Sequence, residues 1–192
     1  MLVDEIEDFV TFWAVPLFAL ATFSLWFLDR PGRRYKWKVA CVSGLASAGL
    51  GLFLAQIISH IWVRERPFVA HPAQTILLGA PSSEPSFPSD HAVAAFAIAF
   101  SVLFVGGRLA GALFLSGALA VGITRVFVGL HYPGDVAGGA LVALAAALIV
   151  FFAGRNRWSP IIAPLSRITD PFTEPVWKTI ATRRVRRRLR RT

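Results

Sequence analysis

Five stretches of this chain are apolar almost without interruption, and the polar residues gather between them. The apolar runs cover residues 9–28, 39–63, 92–105, 109–130 and 136–153. A helix rises 1.5 Å per residue, so about twenty residues cross a hydrocarbon core roughly 30 Å thick. The third run is short for this, but its ends extend to His91 and Gly107. The pattern predicts five transmembrane helices. It gives an all-α integral membrane bundle over residues 1–154, followed by a basic tail over 155–192.

The connections carry their own signals. Pro31 and Gly32 mark a turn after the first run, and Gly106-Gly107 a tight turn after the third. The longest connection, RERPFVAHPAQTILLGAPSSEPSFPSD (64–90), is broken by proline, serine and glycine, with a short interfacial piece expected at 75–78. Long connections without regular structure are usually functional or disordered. In the tail, a Pro-containing stretch is expected to lead into a basic helix over about 174–191. The opening MLVDEIED is acidic and no Ala-x-Ala site follows the first run, so that run reads as a retained span.

Composition supports the membrane reading. Hydrophobic residues make up 55% of the chain and the mean hydropathy is +0.59. The net charge of +9 sharpens it, because the cations are unevenly spread. Five Lys/Arg lie in the 29–38 connection, Arg108 follows the third run, and eleven more follow Gly154. Basic connections stay on the cytoplasmic side. The N-terminus, the 64–90 connection and the 130–135 turn then lie outside, and all basic segments agree with that orientation. The basic block adjoins spans, so it reads as a topology signal resting on anionic headgroups, not as a nucleic-acid site. Cys41 is the only cysteine, which excludes an intrachain disulfide or a thiolate metal cluster.

The candidate chemistry lies at the outer ends of the spans. Three clusters converge there: Arg64-Glu65-Arg66-Pro67, Phe87-Pro88-Ser89-Asp90-His91, and Thr124-Arg125 with His131 and Asp135. Ionisable residues at membrane depth are costly and tend to line functional cavities. Arg125 lies about five residues inside the fourth run; it either snorkels to the interface or lines an outward pocket and binds an anion. Ser89 or Asp90 is placed to cap the third helix, whose N-terminus suits phosphate. Asp135 is spaced to hold one ring nitrogen of His131 and leave the other nucleophilic, or the two form a structural pair. His60 and His71 fit no such cluster and read as an interfacial and a loop residue.

RERP, PSDH and TR-x5-H-x3-D resemble the three signature motifs of the type-2 phosphatidic acid phosphatase superfamily, K-x6-RP, PSGH and SR-x5-H-x3-D. ERPFVAH, FPSDH and GLHYPGD resemble the bacterial undecaprenyl-diphosphatases of the bacitracin-resistance type more closely. The resemblance covers roughly residues 5–153. It implies His131 as nucleophile, Asp135 as its orienting group and His91 as the acid that protonates the leaving oxygen. Arg66, Arg125, Ser89, Asp90 and Arg64 become the phosphate-binding set. Departures are Ser59 where the family has lysine, Asp90 where it has glycine, and Thr124 where it has serine. Arg64 is the candidate replacement for the lysine charge.

The function this implies is hydrolysis of a lipid diphosphate, undecaprenyl diphosphate to undecaprenyl phosphate and phosphate, through a phosphohistidine. No cofactor and no metal is implied. The partners are a polyprenyl diphosphate or phospholipid substrate and the membrane; a homo-oligomer is compatible with the chain. The alternatives are a phosphatidylglycerophosphate or phosphatidic acid phosphatase, and a non-catalytic phospholipid-binding or transport protein.

Overall fold

The computed structural model describes residues 2–29, 35–78, 81–154 and 157–189, with side chains left aside for 2–12, 181 and 183–189. Arg30, Arg33 and Arg34 of the first basic connection, and the arginines at the end of the tail, lie outside the side chains so described. Among the described residues every regular element is helical. In chain order they are α1 (Leu2–Ser24), a 3-10 turn (Leu25–Leu28), α2 (Lys36–Ile61), α3 (Pro67–Ala70), α4 (Asp90–Val105), α5 (Arg108–Phe127), α6 (Pro133–Gly154) and α7 (Ser159–Leu189).

The five expected spans correspond to α1 with its 3-10 turn, α2, α4, α5 and α6. Of these, α2, α5 and α6 are long and apolar enough to cross a membrane on their own. Trp13–Leu28 and Asp90–Val105 are apolar but shorter. The shortness of α4 has a physical reason. Its residues from Ala92 to Ala99 are all at most 5% exposed, because α2, α5 and α6 pack around it. A helix apolar on every side belongs in the core of a bundle. Its five alanines (92, 94, 95, 97 and 99) let the neighbouring helices come close. At 16 residues α4 is about 24 Å long. It stops short of the roughly 30 Å its neighbours must cross. That leaves room beyond its N-terminus, and the candidate site occupies that room. The outer helices instead expose large apolar side chains, such as Phe53 and Ile57 on α2, Leu113 and Ile123 on α5, and Leu141 and Phe152 on α6. In water such a surface would drive aggregation; in lipid it is the solvated face.

The opposite end of the bundle is closed by the first part of α7. Ile162 is fully buried in a cluster with Leu25, Trp26, Ala40, Cys41, Ile98 and Val102. Lys38, a basic-connection residue in the sequence pattern, is only 3% exposed. Its ammonium pairs with Asp170 and donates to Ser166 at 2.9 Å, while its backbone N–H donates to Asp29 at 2.8 Å. Trp26 Nε1 donates to Thr169 at 2.9 Å. The helix therefore begins well before the expected 174 and runs through Pro164, Pro171 and Pro175. Each proline removes one backbone bond; the buried contacts to the bundle hold the segment helical regardless.

A candidate phosphate site at one end of the bundle

The helix ends opposite α7 assemble the three motif clusters. Arg64 and Arg66 follow α2, residues 86–91 lead into α4, Arg125 sits in the last turn of α5, and Asp135 in the first turn of α6. Two backbone bonds tie these pieces together. Ser86 N–H donates to Arg64 C=O at 2.7 Å, and Ser89 N–H to Asp135 C=O at 3.2 Å. Gly129 makes the turn between α5 and α6. Its φ is +76°, and a Cβ there would sit 2.7 Å from the Ile76 carbonyl oxygen, so only glycine fits.

His131 is the centre of the assembly and is 4% exposed. Its Nδ1 lies 2.8 Å from the Ser86 carbonyl. A carbonyl only accepts, so Nδ1 carries the proton and Nε2 keeps its lone pair. Arg66 Nη1 lies 3.3 Å from that Nε2. Burial pushes the His131 pKa below its ordinary value, and the cations Arg66 and Arg125 add to this; Asp135 and the Ser86 carbonyl act the other way. The balance favours the neutral ring, with Nε2 beside a guanidinium.

Asp135 is fully buried. Arg64 donates to its Oδ1 at 2.8 Å, and Oδ2 accepts from the Ser86 hydroxyl and from Tyr132 N–H at 2.8 Å. Its distance to His131 Nδ1 is 3.7 Å, too long for a hydrogen bond. The carboxylate acts on the ring electrostatically and through Ser86, whose carbonyl accepts the ring N–H and whose hydroxyl donates to the carboxylate. Ser86 escapes a motif search, and Tyr132, although inside GLHYPGD, holds no assigned role there. A serine two residues before the PSDH stretch carries no signal until the backbone is folded.

A cavity of about 620 Å³ opens over this centre. Arg66, Arg125, His131, Asp90 and His91 line it. Arg66 is held by the carbonyls of Glu84 (2.8 Å) and Leu130 (3.3 Å), and burial lowers its pKa. Arg125 is 5% exposed, so it lines the pocket and does not snorkel to water. Its Nε and Nη1 are buried without a hydrogen-bond partner, as is the Ser89 hydroxyl. Ser89 occupies the N-cap position of α4 without making a capping bond. Gln56 donates to Asp90 at 3.2 Å. Arg64 is not among the lining residues; it stacks on the Tyr132 ring at 4.0 Å and serves Asp135.

The wall contributed by α2 consists of Gln56, Ser59 and His60, with Val63 just beyond its end. In the sequence His60 reads as an interfacial residue. The spacing of Gln56, Ser59 and His60 places one polar stripe on an otherwise apolar helix, and that is the available signal. Among the described residues no three His, Cys, Asp or Glu side chains converge as a metal-binding set.

A helical bundle that brings a buried histidine and two arginines to one cavity is suited to hold a phosphate. The chain belongs to the PAP2 superfamily, whose family model matches residues 40–159, and it is a lipid phosphatase of that family. It is 33% identical over 161 residues to the undecaprenyl-diphosphatase BcrC of Bacillus subtilis (strain 168), covering 84% of this chain and 77% of that one. It is 30% identical over 142 residues to the putative undecaprenyl-diphosphatase YbjG of Escherichia coli (strain K12), covering 74% and 66%. Among solved structures, a transmembrane PAP2-type phosphatidylglycerolphosphate phosphatase from Bacillus subtilis shares the fold, with a TM-score of 0.56 at 21% identity over 80% of this chain and 77% of that one.

Proposed function

We propose that this chain hydrolyses undecaprenyl diphosphate to undecaprenyl phosphate and inorganic phosphate, without a metal. The observation that carries this reading is the placement of His131, with Nε2 beside Arg66 at 3.3 Å, on a cavity also lined by Arg125, whose Nε and Nη1 are buried without a hydrogen-bond partner. An unpaired buried cation is costly on its own, and a phosphate in the cavity supplies the missing acceptors. The relatives named for undecaprenyl diphosphate support the substrate.

In the first step His131 Nε2 attacks the terminal phosphorus. A P–N bond forms, the P–O bond to undecaprenyl phosphate breaks, and His91 gives its proton to the leaving oxygen. In the second step water attacks the phosphohistidine. His91 takes the proton from that water, the P–N bond breaks, and phosphate leaves with Nε2 restored. Arg66 and Arg125 hold the charge that gathers on the equatorial oxygens, the largest single contribution in such sites. Arg64 acts as a positioning residue through Asp135.

The cations at the α7 end, Lys36, Lys38, Arg108, Arg157 and Arg167, support an orientation with that end cytoplasmic and the cavity extracytoplasmic. The test is a substrate panel with the purified full chain. Faster turnover of undecaprenyl diphosphate than of phosphatidylglycerophosphate or phosphatidic acid is expected; the reverse order overturns the substrate assignment.

A further inference from the structure

α7 has a face that the bundle does not use. Its contacts to the bundle come from Ile162, Ser166, Thr169 and Asp170. A second face carries Ile161, Leu165, Ile168, Phe172 and Val176, which are 45–79% exposed. At about 100° per residue these five fall within an arc of about 80°. A third face carries Arg167, Glu174 and Lys178, with Lys178 paired to Glu174 at 2.9 Å in solvent. The helix is therefore amphipathic twice over, and its rotation is not free. The ion pair from buried Lys38 to Asp170 and the Trp26–Thr169 bond set which way the apolar stripe looks.

We propose that this stripe seats in the interfacial region of an anionic membrane leaflet, with the Lys38–Asp170 pair fixing the depth and rotation of α7 there. Three observations name the occupant. At the same end of the bundle, next to Trp26 that bonds Thr169 of α7, Phe27 and Leu28 are also exposed apolar side chains, at 40% and 47%. The helix leads into RRVRRRLRR (183–191), a run of seven arginines in nine residues that suits anionic headgroups. The segment is interrupted by three prolines and carries both charge signs, so it lies along an interface and does not cross it. The proposal rests on the reading that this end of the bundle faces the leaflet rich in anionic lipid, and it does not depend on the chemistry at the other end.

The test uses the full chain with single cysteines introduced as Phe172→Cys or Lys178→Cys and spin-labelled. Cys41 is buried, which leaves the label to the introduced site. The protein is placed in nanodiscs of phosphatidylcholine alone or mixed with phosphatidylglycerol. Oxygen accessibility reports lipid, and a water-soluble nickel chelate reports solvent. In the anionic discs the oxygen-to-nickel ratio at 172 is expected to exceed that at 178 several-fold, and to fall in pure phosphatidylcholine. Asp170→Asn in the Phe172→Cys background is expected to shrink the contrast. Equal ratios at the two positions, spin–spin broadening from a second copy, or no response to lipid charge overturns the proposal. Phosphate release measured on the same discs reports separately on the catalytic reading.

Discussion

Nδ1 of His131 donates to the Ser86 carbonyl at 2.8 Å, and the Ser86 hydroxyl bonds the carboxylate that flanks the same ring. One residue thus sets the tautomer through its backbone and anchors Asp135 through its side chain. Ser86→Ala keeps the first contact and removes the second. A hydrogen bond to a charged group contributes about 1.5–3 kcal/mol, so kcat is expected to fall roughly ten- to a hundredfold. Steady-state kinetics with KM little changed would show that Ser86 positions the ring and does not bind substrate.

Arg64 and Arg66 are two residues apart, yet only Arg66 lines the cavity. Arg64→Ala is expected to lower kcat through Asp135 while leaving KM within about twofold, whereas Arg66→Ala lowers kcat and raises KM. A raised KM in Arg64→Ala would return Arg64 to the substrate and make it the replacement for the lysine lost at Ser59.

Arg125 holds two buried nitrogens, Nε and Nη1, without hydrogen-bond partners. Arg125→Met removes an uncompensated charge, so the thermal midpoint in detergent is expected to rise, by the equivalent of about 1–3 kcal/mol. Phosphate release falls by about a hundredfold or more, because transition-state charge loses a donor. A fall in both quantities would mean that the guanidinium is structural.

His131 must be neutral to attack, and burial with two nearby arginines holds its pKa below the ordinary 6.5. A lowered pKa keeps the ring unprotonated further into acid, so the acid limb of kcat/KM is expected below pH 6.5. That limb reports the free enzyme. Arg66→Gln removes one of the cations that lower the pKa, and the limb is expected to move to higher pH. A shift in the opposite direction would assign the limb to another group.

Much of this architecture is legible in the sequence. The run lengths give the five apolar helices, and the three motifs give the cavity's arginines together with His91 and His131. What is not legible depends on through-space contact. The shortness of α4 is ambiguous in sequence, and its burial by three neighbours explains it. Ser86 sits outside every motif, and the turn that brings its carbonyl to His131 is set by contacts from Arg64 and Asp135. The polar stripe of Gln56, Ser59 and His60 looks interfacial because they lie near the end of an apolar run, where snorkelling is the ordinary expectation. Lys38 reads as a loop cation, and only the fold shows it buried against a helix more than a hundred residues away.

The most direct test of the account is phosphate release from undecaprenyl diphosphate by the purified chain in detergent with excess chelator, beside His131→Ala. Release that survives chelation and disappears in a folded His131→Ala protein is the expected result. Undiminished release by His131→Ala would contradict the histidine nucleophile, and release abolished by chelator in the native chain would contradict the metal-free chemistry.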